Sequence, residues 1–376
     1  MSRIPPANGV LTSLESALTA LLDGLPPVAP TFLPLSEALG FPAAEMRLLN
    51  DMLPPRDIAV MDGWAFRALD LVGASAYSPV PFTTLPVWVE AGDAMPDGCD
   101  CVLRADLVDR SGPMAQAFAE AIPGTGMRRA GEDMAAGRPA ALPGRRLSAL
   151  DLLVLRSARI DKVAARVPRL RAIDITAANG DRRTAQLVLE SARTAGAALT
   201  GVETVSRDAR SIAAMLDDAS CDLILMIGGT GEGRTDAVAE ALAGSKALIA
   251  HDIALQPGQT AAVGRIGDLP IIALPGAPDH ALAAFLALVL PVLDRLSGCL
   301  KRRGLVLPLA RKISSAVGIA EVALVKQENV GWMPLAVGGL SLDQMRMADA
   351  WLIVPGDSEG YPAGTPVEAF SFDEFT

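Results

Sequence analysis

Apolar positions near the start of the chain recur at helical spacing. Leu11, Leu14, Ala17, Leu18, Leu21 and Leu22 share one face, and the run stops at Pro26-Pro27, so a helix is expected within Gly9 to Leu25. From Leu53 to Arg145 the pattern breaks into short apolar runs divided by Pro and Gly. Leu85–Glu90 and Cys101–Leu103 read as strands there, with a turn at Asp97-Gly98. The composition changes near Ser148, and Leu150–Ser157 reads as a helix. Strands are then expected at Arg169–Ile175, Thr200–Val205, Asp222–Ile227 and Pro270–Leu274. Helices are expected between and after them, at Thr184–Ala195, Ala209–Asp217, Asp236–Leu242 and Asp279–Leu296. Such alternation predicts a mostly parallel sheet covered on both faces. Beyond Lys301-Arg302-Arg303 the pattern is strand-like again, at Val322–Lys326, Gly331–Leu335 and Ala350–Val354. Gly356, Gly360, Pro362 and Gly364 mark turns, which predicts a small β-barrel or sandwich.

The fold class expected is therefore α/β and β multidomain. It combines an open, mostly parallel α/β domain that carries the ligand, a small β-rich module and a C-terminal β-barrel-like domain. The boundaries expected are 1–47 with 137–168 for a helical and linker domain, 48–136 for the β-rich module, 169–300 for the α/β domain and 301–376 for the last. A chain of 376 residues is long enough for two to four domains of about 100–200 residues each.

Composition narrows the partners. Aromatics make up 4% against 51% hydrophobic residues, so the cores must be packed with small aliphatic side chains. The net charge of −10 argues against a nucleic-acid backbone as partner. An anionic ligand would have to be held by local N–H groups, a few Arg or Lys, or a metal ion. Cys99, Cys101, Cys221 and Cys299 form no C-x-x-C pair, and two histidines are too few for a dedicated zinc site, so reduced cytosolic thiols are expected. The first ten residues lack the apolar run of a leader. Ala281–Leu293 is shorter than the roughly 20 residues that span a bilayer and is interrupted by Pro291, so a buried helix and no membrane contact are expected.

The chemistry concentrates after the apolar run Asp222–Ile227. Gly228-Gly229-Thr230-Gly231-Glu232-Gly233 follows it directly, and helical sequence resumes near Asp236, an acceptable N-cap. Glycines let the backbone turn sharply and approach a ligand, and the N–H groups at a helix start favour an anion. A plain tight turn needs fewer than four glycines in six residues. Pro270–Leu274, running into Pro275-Gly276-Ala277-Pro278 and a helix from Asp279, has the same form. Ligands of open α/β sheets sit beyond the carboxyl ends of the strands, so the two loops are expected to face one cleft. Gly228 to Thr235 is one residue from the P-loop pattern. It has Arg234 where the phosphate-reaching Lys stands, and no strand ending in Asp follows to hold Mg2+.

Six segments in order resemble the bacterial molybdopterin molybdotransferases, which are related to the C-terminal domain of gephyrin. Leu53-Pro54 with Met61-Asp62-Gly63-Trp64-Ala65 is similar to "LP…MDGYA", and Gly92 to Val102 to "G…P-GADAVV". Arg128 with Gly131-Glu132-Asp133 and Gly137 is similar to "R–GEDI–G". The glycine turn is similar to "GGVSVGDYD", Gln256-Pro257-Gly258-Gln259 to "KPGK", and Leu274-Pro275-Gly276-Ala277-Pro278 to "LPGNP". The resemblance runs from about residue 45 to the end. It implies an elongated homodimer, a molybdopterin-binding α/β domain, and insertion of molybdate into adenylylated molybdopterin with AMP released and Mg2+ assisting. Carried onto this chain, it gives Asp62, Asp133, Asp208 and Asp236 as catalytic carboxylates, with Asp62 and Asp236 as metal ligands. Taken without the resemblance, Asp208 and Asp236 read as helix caps and Asp62 as a turn residue. The ligand positions implied are Gly228, Gly229, Thr230, Gly231, Gly233, Arg234, Pro257, Gly258, Pro275, Gly276 and Pro278. A cytoplasmic protein is expected, with a molybdoenzyme or another cofactor-synthesis protein as partner.

The departures fall on charged and polar positions. Both "KPGK" lysines are Gln256 and Gln259, the asparagine of "LPGNP" is Ala277, the serine of "GGVSVG" is Gly231, and the first aspartate of "GDYD" is Arg234. Ala59 stands where the family has a serine before "MDG". The loop after Arg169–Ile175 reaches Ala178-Asn179 almost at once, without the family's "GDE", although Gly180-Asp181 offers a carboxylate nearby. Each lost lysine removes a charge-assisted bond of about 1.5–3 kcal/mol, and Arg234 is the candidate to restore one. A molybdotransferase-like enzyme is the first expectation. A non-catalytic paralogue that binds molybdopterin or finished cofactor, as carrier or assembly partner, is the alternative.

Overall fold

A computed structural model describes residues 11–175, 180–216, 220–328 and 331–372. Ala178-Asn179, Asp217 and the first ten residues, on which expectations were placed, lie outside the described residues.

Leu223, Ile224, Leu225, Met226 and Ile227 are all buried, as a strand covered on both faces requires. Leu223–Ile227 lies at the centre of a six-stranded sheet. The order is Ala198–Val205, Arg169–Ile175, Leu223–Ile227, Leu269–Leu274, Ala262–Ile266 and Leu248–His251. The first four pair in parallel, with Leu170 opposite Leu223 and Ile224 opposite Ile271. The last two join antiparallel, so the sheet is mixed. Side chains alternate between its faces with the period of two that a strand imposes. Leu170, Ala172, Leu223, Leu225 and Ile272 face the helices Leu14–Leu22, Arg183–Thr194 and Pro278–Ser297. Ile173, Ile175, Ile224, Met226 and Ile271 face Ala209–Ala214 and Val238–Gly244.

Pro278–Ser297 is 20 residues long and, by length and composition alone, apolar enough to cross a membrane; 72% of its most apolar window is buried inside the protein. Length therefore does not separate a core helix from a span here, contrary to the sequence expectation; burial does. Phe285–Val289 is a π-helical stretch, and the Leu290 N–H donates to the Phe285 carbonyl. Pro291 has no N–H and its ring crowds the carbonyl four residues back, and the widened turn accommodates both. The helix closes at Gly298, whose φ of 62° is left-handed.

Within residues 169–300, three strands escaped the sequence pattern: Leu248–His251, Ile253–Gln256 and Ala262–Ile266. They are short, each carries an alanine, and none has a β-branched run; Ala262–Ile266 also carries a glycine. The helix expected from Asp236 begins at Val238, because the Asp236 side chain folds back into the preceding loop instead of capping it.

The remaining sheets frame this domain. Thr31–Pro34, Lys162–Ala165 and Ala43–Glu45 form one sheet, which joins chain segments on either side of the 48–136 region around a core with Leu35, Leu147, Leu152 and Leu155. Inside 48–136, Val87–Val89, Gly63–Phe66 and Cys101–Leu103 form a three-stranded sheet beside a second three-stranded sheet and a two-stranded one. Burial pushes the Cys101 thiol up to about 12, so it packs as an inert apolar group. The C-terminal strands, for which a barrel or sandwich was expected, belong to a seven-stranded sheet whose strand Leu305–Pro308 leads into a bridge between Leu309 and Trp332 of Gly331–Val337. Ala320–Glu328 pairs with Gly331–Val337, Ala350–Val354 and Ile253–Gln256, and Ile253–Gln256 pairs in turn with Thr12–Ser13. This sheet is continuous with the α/β region because Ile253–Gln256 belongs to it.

Leu225→Ala opens a cavity at the centre of the sheet, with an expected loss of about 2–5 kcal/mol in urea unfolding. The same change at Leu150, 74% exposed, is expected to stay within about 0.5 kcal/mol. Equal losses at the two positions would contradict the placement of the core.

Candidate functional site

The chain leaves Arg169–Ile175 for a neighbour on one side, Ala198–Val205. It then returns to the other side as Leu223–Ile227. The carboxyl ends of these central strands flank the point where the order reverses, the usual ligand crevice of an open α/β sheet. A cleft of about 310 Å³ opens there. Its lining includes Asp174, Asp181, Arg207, Gly228 to Gly231, Asp236, Thr260, Pro275 to Ala277 and His280.

The glycine turn forms the floor. Gly228 has φ 89°, and a Cβ there would lie 2.9 Å from the Ile175 carbonyl oxygen; its N–H donates to the Leu274 carbonyl at 2.9 Å. Gly229 has φ 69° and lies against Ile175 and Val238. A Cβ on Gly231 or Gly233 would lie 2.8 Å from an Asp236 carboxylate oxygen. That carboxylate sits inside the loop, where the Gly233 N–H donates to Oδ2 at 3.0 Å and the Arg207 guanidinium donates to Oδ1. The N–H groups of Thr230 and Gly231 meet no acceptor among the described residues. His251 braces the loop from behind. Its Nε2 lies 2.9 Å from the Thr230 carbonyl oxygen, which can only accept, so Nε2 carries the hydrogen. The second loop meets the first, with a Gly276 Cβ position 3.7 Å from Gly228 Cα and Thr184 Oγ1 donating to the Gly276 carbonyl at 2.7 Å.

Each of the three carboxylates lining the cleft is paired with an arginine. Asp236 pairs with Arg207, Asp174 with Arg182 at 2.8 Å, and Asp181 with Arg183 at 2.6 Å. The Arg183 side chain is the main cause that holds the Asp181 carboxyl down to about 2. Arg207 Nε is buried without an acceptor among the described residues, a state that costs about 1–3 kcal/mol.

Two family profiles match this chain. One, described as MoeA N-terminal region (domain I and II), covers residues 12–158, and the other, described as a probable molybdopterin binding domain, covers residues 175–295. The chain belongs to the MoeA family. It is similar to "Molybdopterin molybdenumtransferase 2" of Mycobacterium tuberculosis, with 28% identity over 72% of this chain and 76% of that one. It is 26% identical to "Molybdopterin molybdenumtransferase" of Haemophilus influenzae over 77% and 78% of the two chains. The structure of the Pyrococcus horikosii molybdopterin biosynthesis MoeA protein aligns over 96% of this chain and 99% of that one, with 25% identity and a TM-score of 0.69. This MoeA-family chain therefore has the family's multidomain arrangement of mixed sheets.

Within the MoeA-family fold, Gly228, Gly229, Thr230, Gly231, Asp236, Pro275 and Gly276 line the cleft. Gly233 supports it through its bond to Asp236. Arg234 is exposed and outside the lining. Pro257 and Gly258 are buried outside the lining, and a Gly258 Cβ would lie 3.3 Å from the His280 carbonyl oxygen. Pro278 is the first residue of the core helix. Asp208 caps Ala209–Ala214, accepting from Ser206 Oγ at 2.6 Å and the Ser211 N–H at 2.8 Å, and these bonds hold its carboxyl down to about 2. Asp62 accepts from the Ala91 N–H at 2.8 Å and Asp133 pairs with Arg128 at 3.1 Å, both in the 48–136 region and outside the cleft lining. Sequence reasoning missed Asp174, Thr184, Arg207, Thr260 and His280. Arg207 follows the carboxyl end of the Ala198–Val205 strand, where the general rule for open α/β sheets points.

The Mg2+ implied by the family does not fit the carboxylates as they stand. Asp62 and Asp236 do not share a site. Both oxygens of Asp236 are engaged, and among the described residues no group of three or more His, Cys, Asp or Glu is placed to hold a metal.

Gly228→Ala forces a side chain into left-handed backbone and against the Ile175 carbonyl. The expected cost is about 1–3 kcal/mol, read as a lower urea midpoint; an unchanged midpoint would show that the turn has another shape.

Proposed function

We propose that this chain acts in molybdenum cofactor biosynthesis as a molybdopterin molybdotransferase-like protein. It binds adenylylated molybdopterin, and molybdate is inserted at the dithiolene with release of AMP. One observation carries the reading: the glycine cradle, with open N–H groups and an arginine at its rim, lies at the switch point of the domain that matches the molybdopterin-binding profile. Pterin phosphate and molybdate are both anions, and N–H groups and guanidinium are what an acidic protein needs to hold them. Gly228, Gly229, Thr230, Gly231, Pro275 and Gly276 contact the ligand on this reading. Gly233, Pro257, Gly258 and Pro278 shape the loops behind them. Asp236 and Arg207 set the charge at the floor. Asp62 and Asp133 belong to the 48–136 region of a partner copy or to a closed form, in a homodimer that works in the cytoplasm. The product passes to a molybdoenzyme or another cofactor-synthesis protein.

The deciding assay supplies adenylylated molybdopterin, molybdate and Mg2+ and follows AMP. Release at a rate above the protein-free control is expected. Tight pterin binding without AMP release would favour the carrier, for which the loss of lysine at Gln256 and Gln259 is the motive. Absence of pterin binding would sink both.

Gly231→Val displaces the Asp236 carboxylate from the loop. The expected result is at least about tenfold weaker pterin binding, the loss of one charge-assisted bond, with the urea midpoint lowered by the broken Arg207–Asp236 pair but the domain still folded. Unaltered affinity would show that the loop does not hold the ligand.

A further inference from the structure

The carboxylates of the cleft are neutralised by arginines that belong to the same chain. Arg207 lies 23% exposed at the rim of the floor and Asp236 13% exposed beneath it. Arg182 holds Asp174, itself 5% exposed, and Arg183 holds Asp181. A divalent ion would have to displace a guanidinium to reach any of the three. Mg2+ sites usually use one or two free carboxylates together with the substrate's phosphates, and none of these carboxylates is free. The cationic groups, by contrast, have capacity left. A guanidinium has five N–H donors, Asp236 takes part of one fork, and Arg207 itself lines the cleft. The same floor offers the Thr230 and Gly231 N–H groups.

We infer that this site takes the phosphate of its pterin ligand through Arg207 and the Thr230–Gly231 amides, with no divalent cation held by the protein. The inference rests on the molybdopterin reading of the cleft and specifies how the charge is met. Asp236 is then a positioning residue: it aims Arg207 across the glycine loop. Arg207 is the binding residue that occupies the role a metal ion would have. The preference of guanidinium for phosphate comes from two parallel N–H to oxygen bonds, which a lysine cannot reproduce.

The test titrates the full chain with molybdopterin, read by pterin fluorescence, once in millimolar Mg2+ and once in EDTA. The two dissociation constants are expected to agree within about twofold. Arg207→Ala is expected to weaken binding at least about tenfold in EDTA, the loss of one charge-assisted bond. In that variant Mg2+ is expected to restore part of the affinity, because the Asp236 carboxylate is released for a metal. Arg207→Lys is expected to fall between the two, since it keeps the charge and loses the fork. Binding by the natural chain that needs Mg2+ would overturn the inference and leave the proposed function standing, and this comparison requires no variant to fold. Arg207→Ala that folds and binds like the natural chain would overturn it equally. No molybdopterin binding in either buffer would overturn the function and the inference together.

Discussion

Three strand ends converge on Gly228. Its N–H is fixed to the Leu274 carbonyl, its Cα lies close to Gly276, and the Ile175 carbonyl stands where a side chain would begin. Only a residue without a Cβ, free to take positive φ, satisfies all three. The rest of the cleft depends on this contact. It brings the turn after Leu223–Ile227 against the strand on one side and the Pro275–Ala277 loop against it on the other, so both loops open onto the same volume. The buried strands make the convergence rigid, because any shift of one strand breaks the parallel register with two neighbours.

The charge arrangement follows from that geometry. An acidic chain that gathers Asp174, Asp181 and Asp236 around one cleft would repel any phosphate. Each carboxylate is instead held by an arginine from an adjoining loop or helix start. The Arg207–Asp236 pair is largely buried and costly to break, because a single unpaired charge would be left in a poorly solvated place. Arg207 is therefore part of the floor. In the family's pattern, positive charge comes from the positions of Gln256 and Gln259; here those side chains are exposed and uncharged, and the cation comes from Arg207, just beyond the edge strand Ala198–Val205 of the six-stranded sheet.

Much of the fold was legible in the sequence. Arg169–Ile175, Cys101–Leu103 and Ala350–Val354 have the bounds their apolar runs predict, and the Ala149–Ser157 and Arg183–Thr194 helices lie within one residue of expectation at each end. These segments announce themselves because burial imposes a period. The antiparallel edge of the sheet did not: Ala262–Ile266 pairs across a tight turn at Gly267, and no periodicity in five residues separates it from a loop. The cleft was legible in its glycines and prolines, which answer to local backbone geometry. Its charges were not. Arg207 and Asp236 stand 29 positions apart, and Asp174 and Arg182 stand 8 apart. Their pairing is a product of strand order, which the sequence states only indirectly. Arg234 shows the converse. It sits inside the motif, yet the turn carries it outward, because the side chain of Asp236 already fills the loop.

That filling bears on how the site meets an anion. The Asp236 carboxylate lies against Gly231 and Gly233 and accepts from the loop, much as an oxygen of a bound phosphate would. A ligand therefore enters a cradle that already contains negative charge, and its affinity is the difference between two sets of bonds. The arrangement still favours binding where Asp236 and the ligand use different donors. Asp236 takes the Gly233 N–H and one arm of Arg207, and the Thr230 and Gly231 N–H groups stay available. Freezing a long side chain on binding costs about 0.5–1.5 kcal/mol. Arg207 is already held by Asp236, so much of that ordering is complete before the ligand arrives. The carboxylate thus opposes the anion by its charge and assists it by its grip on the arginine, and the second effect prevails only while the guanidinium remains free to share its donors.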